Sequence, residues 1–152
     1  MSTLLGMKRT DEKRMNFELK RRPLSFGVTQ GTALVSKKPL SFLGGVNPET
    51  GVVIEKDHDL NGKSIKGMIL CFPHGHGSTV GSYVLYSLAK KKTGPRAIVN
   101  ETADPVVVVG AVIAEVPMVD GINIAQIETG DTLEVDGGKG TVKILKREKR
   151  CT

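Results

Sequence analysis

The segment Gly67-Met-Ile-Leu-Cys-Phe72 is an unbroken apolar run held between a glycine and Pro73, and it limits the architecture more than any other stretch. A run this short, bounded by turn residues, reads as a buried strand. It is followed by Pro73-His-Gly-His-Gly-Ser-Thr-Val-Gly-Ser82 and then by a helical pattern. Val80, Tyr83, Val84 and Leu88 recur at helical spacing, which predicts an amphipathic helix packed on that face. Lys90, Lys91 and Lys92 close it where cations suit the helix dipole, and Gly94-Pro95 stops it. Arg96-Ala-Ile-Val99 is a second short buried strand. Asp104-Pro105 supplies an N-cap and a first-turn proline for a second helix through Glu115, although the β-branched run Val106 to Val109 also suits a strand.

Shorter patterns complete the domain. Phe17 and Leu19 alternate with polar neighbours until Arg21-Arg22-Pro23 breaks the strand, and Gly31 to Ser36 reads as another. Pro39 to Gly51 is rich in turn formers, and Val52 to Ile54 is a short strand. Pro117 to Val119, Thr132 to Val135 and Thr141 to Leu145 are strands separated by glycine-rich turns. The sum is a β-rich, mixed α/β domain over residues 16–146 with about two helices. A disordered basic leader over 1–15 precedes it and a basic tail over 147–152 follows.

Charge excludes some functions. The formal net charge is +6, but residues 1–22 hold seven Lys/Arg against three carboxylates and residues 146–152 hold four against one, so the body is close to neutral. A nucleic-acid module concentrates positive charge on a folded face and stacks bases on aromatics; aromatic content here is only 4%. No nucleic-acid partner is expected. The longest apolar run, Pro105 to Ala114, is too short to span a bilayer, and no secretory signal follows the N-terminal cations, so a cytoplasmic protein is expected. Two cysteines, Cys71 and Cys151, are too few for a disulfide framework or a cluster of their own.

Chemistry concentrates in the loop after the apolar run. A strand, a glycine-rich loop and a helix direct backbone N–H groups toward one point, which suits an anion. Gly75 and Gly77 permit close approach of a ligand, and Ser78 or Thr79 can face it with a hydroxyl. The loop is neither a Walker motif nor a dinucleotide fingerprint. Ser78 alone reads first as a helix N-cap. As a base it needs its alkoxide stabilised by oriented N–H groups or cations, and His74 and His76 stand beside it. No Asp or Glu occurs in residues 68–100, so a local Ser-His-Asp triad is absent.

The run Pro73 to Tyr86 resembles the aconitase X swivel-domain family, the lid domain of the aconitase superfamily encoded as a separate chain. Arg96 to Val99, Asp104-Pro105, Gly110 to Val119 and Leu40-Ser-Phe-Leu-Gly-Gly-Val-Asn-Pro-Glu-Thr-Gly51 share in the resemblance. The archaeal, phosphomevalonate-dehydrating branch is the most similar. The resemblance implies a swivelling β/β/α domain that closes over a large subunit carrying a [4Fe-4S] cluster, in a heterodimer acting on a small phosphorylated carboxylate. Ser78 then takes the position of the proton-accepting serine, while a cluster iron of the partner acts as Lewis acid on the leaving hydroxyl. Gly44, Gly45, Asn47, His76, Gly77 and Thr79 are the implied substrate-lining residues. Aconitases proper follow the serine with a second serine and a carboxylate-gripping arginine; here Thr79-Val80 stands instead, in keeping with a substrate that has one carboxylate. No cofactor and no metal is expected on this chain. Alternatives are a hydroxyproline-type dehydratase subunit and a non-catalytic anion-binding module.

The remaining candidates carry plainer expectations. Cys71 reads as a core residue, His58 as a surface residue in a polar turn, and Tyr83 and Tyr86 as packing residues. Arg96 is a possible cation for the phosphate.

Overall fold

The computed structural model describes Phe17–Lys20 and residues 22–147. The expected leader, Arg21 and the tail beyond Arg147, with Cys151, lie outside the described residues.

The strands are β1 (Phe17–Lys20), β2 (Arg22–Ser25), β3 (Val28–Val35), β4 (Ile69–Phe72), β5 (Ala97–Asn100), β6 (Met118–Asp120), β7 (Thr132–Asp136) and β8 (Thr141–Lys146). The helices are α1 (Gly81–Lys90) and α2 (Pro105–Ala114). One sheet runs in the order β1-β8-β7-β3-β4-β5-β6-β2. Its centre, β3 to β6, is parallel, and β1, β8 and β7 form an antiparallel wing. β3 joins the halves: Val28 to Thr32 pair with β7, and Ala33 to Val35 pair with β4.

Alternation along β4 explains its apolar run. Ile69 and Cys71 enter one core with Val99, Val119, Leu133 and Val142. Leu70 and Phe72 enter another with Ile98, Leu85, Leu88 and Val107. Successive side chains leave a strand on opposite faces, so a strand covered on both sides must be apolar throughout. The antiparallel wing curls over one face; α1, α2 and the long 36–66 segment cover the other. Truncating the fully buried Phe72 would cost about 3–5 kcal/mol.

Asp104 caps α2 as expected, its carboxylate accepting from the Val106 and Val107 N–H groups. This local bond and the proline at the first turn settle the β-branched run in favour of helix. Four details differ from expectation. Arg22–Ser25 forms an edge strand on β6 despite Pro23, which an edge tolerates because one side needs no N–H donor. Val52 and Val53 make only isolated bridges, to Ser64 and Val46. The packed face of α1 is Gly81, Ser82, Leu85 and Leu88, whereas Val80 and Tyr83 are exposed and Tyr86 is 40% exposed beneath Lys90. Helix α2 lies so close that a Cβ at Gly110 would sit 3.1 Å from the Ser82 Cα, so small residues make the contact and the larger ones turn outward. Finally, His58 is buried: its Nε2 donates to the Pro39 carbonyl at 3.0 Å and its Nδ1 accepts from the Leu60 N–H at 3.0 Å.

Candidate functional site

The parallel strands β3, β4 and β5 end on one side of the sheet, where open α/β sheets place their ligands. β4 leads there into the loop Pro73 to Val80, and β5 into Glu101 to Asp104. A crevice of about 590 Å³ opens at this end between Ser36, Lys37, Asp59, Pro73, Glu101 and Glu128. Ser78 is not among its walls.

The loop is fastened beside Leu40. The Leu40 N–H donates to the His74 carbonyl at 3.2 Å, and the His76 N–H donates to the Leu40 carbonyl at 3.1 Å. Gly77 follows with φ +103°, and a Cβ there would meet the Ser41 Oγ at 2.5 Å. Ser78 emerges exposed. Its Oγ accepts from the Val80 N–H at 3.1 Å, a local turn rather than the N-cap; Val80 holds the cap position and its side chain bonds nothing there.

The available donors lie one turn before the helix. Gly81, Ser82 and Tyr83 donate their N–H groups to the carbonyls of Ser78, Thr79 and Val80. The N–H groups of Gly77, Ser78 and Thr79 find no acceptor among the described residues. Consecutive free amides around an exposed hydroxyl can hold an oxyanion or a carboxylate at hydrogen-bond distance. Thr79 is exposed, its carbonyl taken by the N–H and Oγ of Ser82.

The structure brings some of the expected residues together and parts others. The His76 Nε2 lies 3.3 Å from the Glu55 Oε2, and Glu55 is in turn tied to Gly45, whose carbonyl accepts from Ile54 and Glu55. Gly44 sits at an open turn with φ +82°. Asn47 is carried away from Ser78. It lies further along the ladder that pairs Gly45 with Ile54 and Val46 with Val53, its Oδ1 accepting from the Glu49 N–H. The turn beyond it meets Thr93, just past the C-terminal end of α1, whereas Ser78 precedes the N-terminal end. The Asn47 side chain therefore serves a turn. His74 folds back on its own loop, its Nδ1 2.9 Å from the Gly75 carbonyl. Arg96 stands before β5, at the opposite end of the parallel strands from Ser78, with its Nε on the Gly67 carbonyl at 3.1 Å.

Two residues had no local signature in the sequence. Glu55 reaches the loop from 21 positions away. Asn100, fully buried at the end of β5, donates Nδ2 to the Phe72 carbonyl, while its Oδ1 has no partner among the described residues.

The described residues of this chain do not fit an iron–sulfur cluster. Cys71 is buried inside β4, and burial, with the Asp131 charge, pushes its thiol pKa upward, away from the thiolate that ligation requires. Among the described residues no group of three His, Cys, Asp or Glu is placed to hold a metal, and no helix is long and apolar enough to cross a membrane.

Known proteins share this arrangement. The profile of the aconitase X swivel domain matches residues 18–144. The phosphomevalonate dehydratase small subunit of Methanocaldococcus jannaschii is 54% identical over 130 residues, 86% of this chain and 99% of that protein. The small subunit of the same name from Pyrococcus furiosus is 52% identical over 128 residues, 84% of this chain and 96% of that protein. The crystal structure of Thermococcus kodakaraensis aconitase X in its holo form superposes with a TM-score of 0.84 at 48% identity, covering 86% of this chain and 99% of that one. The curled mixed sheet with two helices is thus the aconitase-type swivel fold, and the match extends from β1 to β8. Sequence and fold agree that the chain belongs to the aconitase X swivel-domain family.

Proposed function

We propose that this chain is the small subunit of a two-subunit hydro-lyase that dehydrates (R)-5-phosphomevalonate to trans-anhydromevalonate 5-phosphate, with Ser78 as proton acceptor. The name carried by relatives about half identical over nearly their whole length supports the substrate and implies a large subunit. The observation that carries the chemistry is the exposed Ser78 hydroxyl among three unclaimed backbone N–H groups.

The reaction removes a proton from the carbon beside the carboxylate and a hydroxyl from the next carbon. The C–H electron pair becomes the new double bond, and the proton and hydroxyl leave as water. Ser78 Oγ, as the alkoxide, receives that proton and then passes it to the departing hydroxide, which completes the water and restores the alkoxide. The alkoxide charge is met by the Val80 N–H, which the Oγ already accepts at 3.1 Å, and the N–H groups of Gly77, Ser78 and Thr79, without an acceptor among the described residues, are left for an anionic oxygen of the substrate. Gly44, Gly45, His76 and Thr79 line the same side of the lid; Asn47 takes no part. The [4Fe-4S] cluster is assigned to the large subunit, which is supported by the two cysteines of this sequence, fewer than a cluster needs. The heterodimer works in the cytoplasm.

The test is reconstitution. The lone chain should show no dehydration, and turnover should appear on adding the iron-loaded large subunit. In that complex Ser78→Ala should lower kcat by about 10²–10⁴-fold, the range of general acid–base contributions. Near-normal turnover by that variant removes Ser78 from the reaction. Turnover of a hydroxyproline but not of phosphomevalonate would assign the hydroxyproline-type activity.

A further inference from the structure

We propose that Glu55 is a positioning residue for the loop that presents Ser78, acting by fixing both the place and the tautomer of His76. The inference rests on Ser78 as the proton acceptor.

The backbone leaves a gap in the loop's support. Hydrogen bonds to Leu40 fasten it as far as His76, and the turn from Ser78 to Val80 fastens its far end. Between them, the amides of Gly77, Ser78 and Thr79 have no acceptor among the described residues. A chain unheld by its own amides must be placed by side chains. Two contacts do so here: Ser41 lies against Gly77, and Glu55 holds His76.

Glu55 is itself held at several points, its carbonyl accepting from the His58 N–H and the Asn61 Nδ2. Its N–H donates to the Gly45 carbonyl at 3.2 Å, and its Oε1 accepts from the Ser41 N–H at 3.1 Å. Its Oε2 meets the His76 Nε2 at 3.3 Å. One residue thus joins three segments: its carboxylate links the Ser41 turn to the serine loop, and its backbone N–H is held by the Gly45 hairpin. A carboxylate oxygen only accepts, so in this contact the His76 Nε2 carries the proton. His76 precedes Ser78 by two residues, so a change in ring position or tautomer moves the amides that surround the hydroxyl.

The pair is open to solvent, with side chains 46% and 25% exposed, and such pairs add little to stability. A structural role would therefore leave little trace in turnover, and a positioning role leaves little in thermal stability.

Glu55→Gln separates the two. Its amide oxygen still accepts from the Ser41 N–H, but its NH₂ group donates, which expels the proton from the His76 Nε2. In the reconstituted two-subunit enzyme the variant should lose kcat about 10-fold or more, the scale of a small misplacement at a reacting group. KM should stay within about twofold, and melting temperature and co-elution with the large subunit should match wild type. The isolated full chain gives an independent readout. Long-range 1H–15N correlation should find the His76 proton on Nε2 in wild type and displaced in Glu55→Gln. Turnover within about twofold of wild type in Glu55→Gln, with Ser78→Ala inactive, overturns the proposal. So does an unchanged His76 tautomer. Should Ser78→Ala itself retain turnover, the proton-acceptor assignment fails instead, and the ring spectrum still decides whether Glu55 sets His76.

Discussion

Gly77 lies against Ser41 so closely that a Cβ on the glycine would sit 2.5 Å from the serine Oγ, at a backbone φ of +103° that L side chains rarely adopt. The Ser41 hydroxyl is committed to the Leu43 carbonyl at 2.9 Å, so it yields only by breaking that bond. The two residues set how the serine loop crosses the turn that follows β3. Gly77→Ala should therefore displace Ser78. We expect stability to fall by about 1–3 kcal/mol from backbone strain, and turnover of the reconstituted enzyme to fall further than stability explains. Denaturant unfolding beside steady-state kinetics checks it; wild-type kcat in the variant would show that the loop tolerates the shift.

Arg96 should be dispensable for the phosphate. It stands at the start of β5 with its Nε on the Gly67 carbonyl, at the other end of the strands from Ser78. Arg96→Ala should leave KM for the phosphorylated substrate within about twofold, where loss of a phosphate-gripping cation would raise it far more. A large rise in KM would place the phosphate at the wrong end of the sheet.

Arg147 should matter to stability although it opens a stretch that reads as a basic tail. Its Nε and Nη2 form two bonds to Asp131 at 2.9 and 2.8 Å, and Nη2 also donates to the Gln126 carbonyl at 2.9 Å. The Asp131 side chain is 1% exposed. Hydrogen bonding to Asp131 holds the guanidinium pKa above its ordinary value, so Arg147 stays charged. Arg147→Ala leaves a buried carboxylate with the Glu128 N–H as its remaining bond, and should cost about 3 kcal/mol. Chemical denaturation of the two proteins reads this directly, and a change within about 0.5 kcal/mol would contradict it.

Asp59 gives a pH dependence of known sign. Burial works to raise its carboxyl pKa, but hydrogen bonds from the Ser36 Oγ and the Lys37 N–H, with the nearby His58, outweigh it and hold the group below its ordinary 3.8. A lowered folded-state pKa means stability that is present above 3.8 and is lost as pH falls through the folded value beneath it. The melting-temperature gap between wild type and Asp59→Asn should therefore be widest near neutral pH and shrink below about pH 4. A gap that widens on acidification would reverse the assignment.

The sequence by itself determined the elements whose cause is local. The run from Ile69 to Phe72 can only be a strand covered on both sides, Asp104-Pro105 starts a helix within its own first turn, and the glycines before Ser78 mark a loop. Resemblance in the same stretch carried the family. What only the tertiary structure decided depends on partners distant in the chain. Which face of α1 is buried follows from Gly110 of α2, because close approach favours Ser82 and Gly81 over the larger Tyr83. His58 is buried because the Pro39 carbonyl and the Leu60 N–H satisfy both ring nitrogens, a pairing that no local pattern announces. Asn47 and Gly45 stand two residues apart, yet the ladder between them takes one to the far end of α1 and leaves the other beside the serine loop. Glu55 reaches His76 across 21 residues for the same reason. Periodicity records how a segment meets its surroundings on average, whereas a site consists of single contacts, and those exist only once the chain has closed around them.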